Sequence, residues 1–229
     1  MMSRIPGPKV LAPLAVAVVA AGGAAWWVSG SQTAPQVPQI ASPAQAQSAS
    51  QADFDRVPDM SRGNPDAAVT VIEYDSFTCP HCASFHERVL PQLTEAFIDT
   101  GDVHWITREV YFDRPGLWAA MLARCGEDSR YFPMVDVIFS QQREWTSSSD
   151  PAAIAENLRR MGRQTGLSGE EVDACLQDAE MAQAMVAVYQ HHANEHGINS
   201  TPSFVINGEL HSNMGFEAFS ELLTEKLGG

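Results

Sequence analysis

Lysine is almost missing from this chain of 229 residues: Lys9 and Lys226 are the two examples, and basic residues number 14 against 28 acidic, a formal net charge of −14. So little positive charge excludes a nucleic-acid-binding surface, which needs clustered lysine or arginine against phosphate. Charge of either sign is scarce at the start, where Arg4 and Lys9 are the only charged residues before Asp53. Cysteine is scarce too. Four residues, at 79, 82, 125 and 175, are spread along a chain too long to be a disulfide miniprotein. They hold a single C-x-x-C, so the two close ligand pairs of a structural zinc site are not spelled out, although His86, His191, His192 and His196 offer further nitrogens. No metal and no cofactor is assigned. No internal repeat is found. With 45% hydrophobic and 18% charged residues, the chain carries enough apolar material for a real core.

Val10 to Val28 is an uncharged run behind two basic residues, the layout of an export segment. Its roughly 28 Å helical length matches the hydrocarbon thickness and favours an uncleaved membrane anchor over residues 1–30, with Trp26 and Trp27 at the interface. Signal cleavage is the alternative, with small residues at Gly23 and Ala25 or at Ala44 and Ala46. Residues 31–52 are almost entirely Ala, Gln, Ser and Pro, so 31–57 reads as a linker and 58–229 as the folded domain.

Within that domain, β-branched residues over 67–74 predict a strand that hands over directly to a helix from Cys79, with Pro91 kinking it. A second strand is expected over 102–112. Near the end, Ser203 to Ile206 followed by Asn207-Gly208 predicts a hairpin. A final helix is expected to bury Phe216, Phe219, Leu223 and Leu227. The stretch 115–197 carries helix signals: Asp150-Pro151, a capping box of Ser168 with Glu171, and Gly197 as a stop. The order implies an α/β domain with a helical insertion.

Cys79-Pro80-His81-Cys82 falls where the strand meets the helix, which puts Cys79 at a helix N-terminus. Unpaired backbone N–H groups and the macrodipole stabilise a thiolate there, and Pro80 gives up a donor that had no helical partner. His81 adds a positive charge or a hydrogen bond. Thiolate stabilisation favours the dithiol and makes the disulfide oxidising. Glu73 shares a strand face with Val69 and Val71 and is expected to be poorly solvated; Asp75, nearer the loop, reads as a solvated or turn-forming carboxylate. Cys125 and Cys175 each sit on an apolar helical face, and in an oxidising compartment the even cysteine count favours a structural disulfide between them, two buried thiols being the alternative. Trp118, Met121, Met134 and Phe139 read as helix core, and the histidines at 191, 192 and 196 as a solvated helix end.

The segments EYDSFTCPHC at 73–82 and TPSFVING at 201–208 resemble the DsbA-like periplasmic thiol:disulfide oxidoreductases of the thioredoxin superfamily. That resemblance implies a thioredoxin-like fold with the helical insertion between the second strand and the cis-proline hairpin. By it, Cys79 is the nucleophile paired with Cys82, and Pro202 is the cis-proline facing them. Thr201 pairs its backbone with substrate, and Glu73 relays protons to Cys82. It further implies a monomeric disulfide donor to reduced exported proteins, reoxidised by a quinone-linked membrane partner of DsbB type. An isomerase or reductase kept reduced by a membrane donor is the second reading. A periplasmic metal-binding protein is the third.

Overall fold

The computed structural model describes residues 48–229. The apolar stretch 10–28 and most of the linker lie outside them, and among the described residues no helix is long and apolar enough to cross a membrane. A helix lies inside the span read as linker. Helix α1 (Gln51–Arg56) is started by a Ser50–Asp53 capping box, and Arg56 pairs with Glu180 at 2.9 Å. Composition had hidden this short helix, whose one partly buried aromatic, Phe54, sits edge-on to His191 and His192.

Five strands form one sheet in the order β1-β3-β2-β4-β5. The central strand β2 (Val69–Asp75) runs parallel to β3 (Val103–Glu109) and antiparallel to β4 (Ser203–Ile206). Strand β5 (Glu209–Ser212) closes the hairpin through Asn207 and Gly208, both at positive φ. Asn207 also receives the Thr70 N–H at 2.8 Å, tying the turn to β2. The edge strand β1 (Met60–Gly63) had no strong sequence pattern; it pairs antiparallel with β3. Its end requires glycine, because Gly63 has φ +83° and a Cβ there would lie 2.2 Å from the Val103 carbonyl oxygen.

Side chains alternate across β2. Val69, Val71, Glu73 and Asp75 face one way, towards a layer holding Phe85, Trp105, Phe204, Phe219 and Leu223; Ile72 and Tyr74 face the other. The first layer is built by α2 (Pro80–Arg88) and α10 (Phe216–Lys226). Leu227 does not join it. It caps α10 beyond the last turn and is 37% exposed. The single kinked helix expected after Cys79 is broken up, because Pro91 lacks an N–H. Helix α2 stops at Arg88, α3 spans Leu90–Leu93, and a π-helical turn covers Thr94–Ile98.

The helical insertion comprises α4 (Arg114–Ala123), α5 (Tyr131–Ser140), α6 (Gln142–Trp145), α7 (Pro151–Gln164), α8 (Gly169–Leu176) and α9 (Ala179–His196). The expected start and stop signals operate: Asp150 and Ser168 cap α7 and α8, and Gly197 ends α9 in the left-handed region at φ 66°. Trp118, Met121, Met134 and Phe139 are core residues here, as their spacing implied. A buried ion pair joins the insertion to the sheet, with Arg124 Nε and Nη2 each 2.8 Å from the Glu109 carboxylate and the Tyr131 hydroxyl donating to it at 2.8 Å. Behind the sheet, Arg108 binds Asp59 and Tyr74, and Tyr74 in turn meets His196 at 2.6 Å. That contact makes His196 part of a strut and not a solvated end.

Cys125 and Cys175 are disulfide-bonded across a sequence separation of 50 residues. Closing a loop of that length restricts the unfolded chain by about 4 kcal/mol in the chain-entropy model. Replacing both cysteines with alanine is therefore expected to lower unfolding stability by up to about 4 kcal/mol in denaturant titration. The measurement belongs in a Cys79→Ser/Cys82→Ser background, where no other disulfide contributes.

Candidate active site

Strand β2 ends at Asp75, and three residues of turn separate it from Cys79, the N-cap of α2. The turn is closed by the Cys79 N–H on the Ser76 carbonyl at 2.9 Å. The Thr78 hydroxyl donates to Asp113 at 2.8 Å, and Asp113 caps α4 through the Gly116 N–H. Gln142 completes the frame. Its buried side-chain amide donates to the carbonyls of Phe77 and Cys79 at 2.8 and 2.9 Å, fixing both sides of the loop from within the insertion. No spacing rule connects a residue on α6 to carbonyls more than sixty positions earlier, which is why the sequence did not reveal it.

Cys79 and Cys82 carry free thiols, the first half-buried and the second fully buried. The peptide bond from Thr201 to Pro202 is cis, and the Thr201 carbonyl accepts from the Cys79 thiol at 3.3 Å. The Thr201 hydroxyl is buried and has no other partner, so it is available to donate to the same sulfur once ionised. Donation from the Cys82 thiol and the Thr201 side chain, with the backbone N–H groups of Cys82 and His81, outweighs burial and lowers the Cys79 pKa to about 5. Cys82 goes the opposite way. Burial pushes its thiol far up, and its bond to Cys79 and the charge of Asp75 add to the rise. Pro80 and His81 are exposed on the first turn, with His81 offering its backbone to Cys79 and its imidazole to solvent.

Beneath the cysteines lies a buried cluster. Glu73 is fully enclosed, as its strand face implied, and accepts from the Trp105 indole at 3.0 Å. Asp75 is fully enclosed as well, which overturns the reading of a solvated or turn-forming carboxylate. The strand continues through Asp75, in register with Glu109, and the period of two that turns Glu73 inward turns Asp75 inward with it. His86 Nε2 lies 3.3 Å from Glu73 and 3.2 Å from Asp75. Burial works against a charged imidazole, yet Glu73 and Asp75 raise its pKa to about 9. Desolvation, with the nearby charge of Glu73, raises Asp75 to about 7 despite its bond to His86. His86 was legible only as a spare nitrogen, although it stands four residues after Cys82 and hence on the same face of α2. A second group, His191, His192 and Glu195, brings possible ligand atoms together on α9.

A family model described as Thioredoxin matches residues 55–225. The chain is 32% identical over 170 residues to a protein of Rickettsia bellii that carries the name protein-disulfide oxidoreductase, covering 74% of this chain and 64% of that one. It is 29% identical over 147 residues to Disulfide bond formation protein D of Bacillus subtilis, covering 56% of this chain and 65% of that one. The chain thus spans less than two thirds of the length of these curated relatives. Among solved structures, alpha-DsbA1 of Wolbachia pipientis superimposes with a TM-score of 0.69 at 28% identity, covering 75% of this chain and 92% of that one.

Two measurements check the site. Ultraviolet thiolate absorbance of the reduced protein should titrate with a midpoint near the value of about 5 given to Cys79, leaving it ionised at neutral pH, with no second thiolate appearing from Cys82. Gln142→Leu removes both donors to the loop carbonyls and should lower unfolding stability by about 1–3 kcal/mol, read by thermal or denaturant unfolding.

Proposed function

The chain belongs to the DsbA-like proteins of the thioredoxin superfamily, and we propose that it is a thiol:disulfide oxidoreductase that donates its Cys79–Cys82 disulfide to reduced exported proteins. One observation carries the direction of transfer: Cys79, set at a helix N-cap against Thr201, holds its thiol pKa down at about 5. A sulfur that ionises so readily is a good leaving group, and stabilising the reduced form makes the disulfide a strong oxidant.

A substrate thiolate attacks the sulfur of Cys79, the Cys79–Cys82 bond breaks, and the electron pair goes to Cys82. A second substrate thiolate then attacks the substrate sulfur of the mixed disulfide and expels the Cys79 thiolate. Substrate leaves oxidised and the enzyme is left as a dithiol. Half-exposure of Cys79 and full burial of Cys82 suit the first to meet substrate and the second to stay inside. Thr201, next to the cis Pro202, offers backbone to an extended peptide beside Cys79, and Pro80 and His81 form the exposed rim that a substrate meets. Reoxidation falls to a quinone-linked membrane partner of DsbB type. The site of action is the periplasm, with residues 1–30 tethering a monomeric domain to the inner membrane or removed as a signal.

Equilibrating the Cys79/Cys82 pair against glutathione buffers tests this. The expected potential is more oxidising than the glutathione pool, nearer to about −120 mV than to the roughly −270 mV of thioredoxin, and His81→Ala should lower it. A value at the thioredoxin end would sink the donor reading in favour of a reductase or isomerase.

A further inference from the structure

Among the described residues, two groups of side chains bring three possible metal-ligand atoms together. One, Glu73 with Asp75 and His86, is sealed in the core beneath the cysteines, and His86 already faces both carboxylates. The other stands at the surface on the last turns of α9, where His191, His192 and Glu195 each offer one atom and the three atoms lie within 4.8 Å of one another. Helical spacing alone would pair His192 with His196. The Tyr74 hydroxyl, however, engages His196 Nδ1 at 2.6 Å. Glu195 takes that place instead, four residues after His191 and three after His192, the two spacings that share a helix face.

The separations suit one tetrahedral ion. His192 Nδ1 and Glu195 Oε2 are 3.4 Å apart. Two ligand atoms each about 2.0–2.1 Å from a zinc ion, at the tetrahedral angle, stand about 3.3–3.4 Å apart. The His191 and His192 rings have centroids 5.3 Å apart and an interplanar angle of 77°. Two imidazoles on one such ion put their centres about 5 Å apart. Phe54 of α1 braces this arrangement, edge-on to His191 at 5.1 Å and to His192 at 5.6 Å. As a hydrogen bond the contact between His192 and Glu195 is long, so neither atom is firmly committed. Charge favours a cation as well. Glu195 pairs with no arginine or lysine among the described residues, and the C-terminal end of α9 carries the negative end of the helix dipole. Arg108, whose charge reaches His192, is itself held by both oxygens of Asp59 at 2.8 Å. We propose that His191, His192 and Glu195 bind one divalent transition-metal ion, with zinc the best fit, on the outer face of α9. Two imidazole nitrogens in a set of three select against calcium and magnesium, which take oxygen ligands. Three protein ligands leave a fourth position open to solvent, and the exposure of His191 and Glu195 gives the ion its way in. The site is separate from the cysteines and needs no thiolate.

The test is equilibrium dialysis against zinc chloride of the full chain, stripped with a chelator and fully oxidised so that no thiol competes, with bound zinc counted by elemental analysis. Wild type should retain a zinc ion that excess calcium does not displace. His191→Ala and Glu195→Gln should each bind it at least about 10-fold more weakly, since losing even an outer-shell partner of a metal ligand costs that much. His104→Ala, on β3, should bind as wild type does. Both ligand positions are exposed, so the variants should keep the far-ultraviolet circular dichroism of wild type, and loss of zinc is read only where they do. A wild type that retains no zinc overturns the proposal. So does zinc held with wild-type affinity by both His191→Ala and Glu195→Gln, which places the ion elsewhere, or zinc displaced by calcium.

Discussion

Everything at the active-site end depends on keeping two sulfurs three residues apart in opposite electrostatic surroundings. Cys79 sits where α2 offers unpaired N–H groups and where the Thr201 carbonyl, just before Pro202, accepts from its thiol. Cys82, less than one turn later, faces inward, where burial and a neighbouring carboxylate hold its proton on. Under the proposed function, the difference in leaving ability between the two sulfurs is what would give exchange a direction. A single strand end creates both surroundings. Strand β2 delivers the chain to the helix start and turns two carboxylates into the core beneath it.

Holding those carboxylates in an apolar layer is costly unless they are paired. His86 supplies the pairing from the same helix that carries the cysteines, and Trp105 supplies a donor from β3. The two cysteines and the buried charge cluster are therefore built on one helix–strand contact.

The helical insertion is the outer support for this contact. Gln142 grips the loop carbonyls, Asp113 links the loop to α4, and Arg124 with Tyr131 neutralises Glu109 at the strand position beside Asp75. The buried Arg124–Glu109 pair adds little net stability, but removing one partner would strand a charge in the core. The disulfide between Cys125 and Cys175 holds the insertion together away from Cys79 and Cys82. Exposed Phe112, next to Asp113, leaves an apolar surface beside the loop.

Local chemistry determined what could be determined locally. Val69 to Asp75 is a strand because its residues are β-branched and alternate, Cys79 stands at a helix N-cap because the strand hands over to a helix there, and Asn207-Gly208 turns because both positions accept positive φ. Glu73 was legible as buried for the same reason, and the period of two would have placed Asp75 beside it had the strand been carried one residue further. Tertiary structure alone decided the rest. The proximity of His86 to two carboxylates, of Gln142 to the loop and of Cys125 to Cys175 joins residues that no periodicity relates, since each pair meets only when separate elements pack. Charge states followed from the same packing, because desolvation and neighbouring charge, not residue type, set where Asp75 and His86 hold their protons.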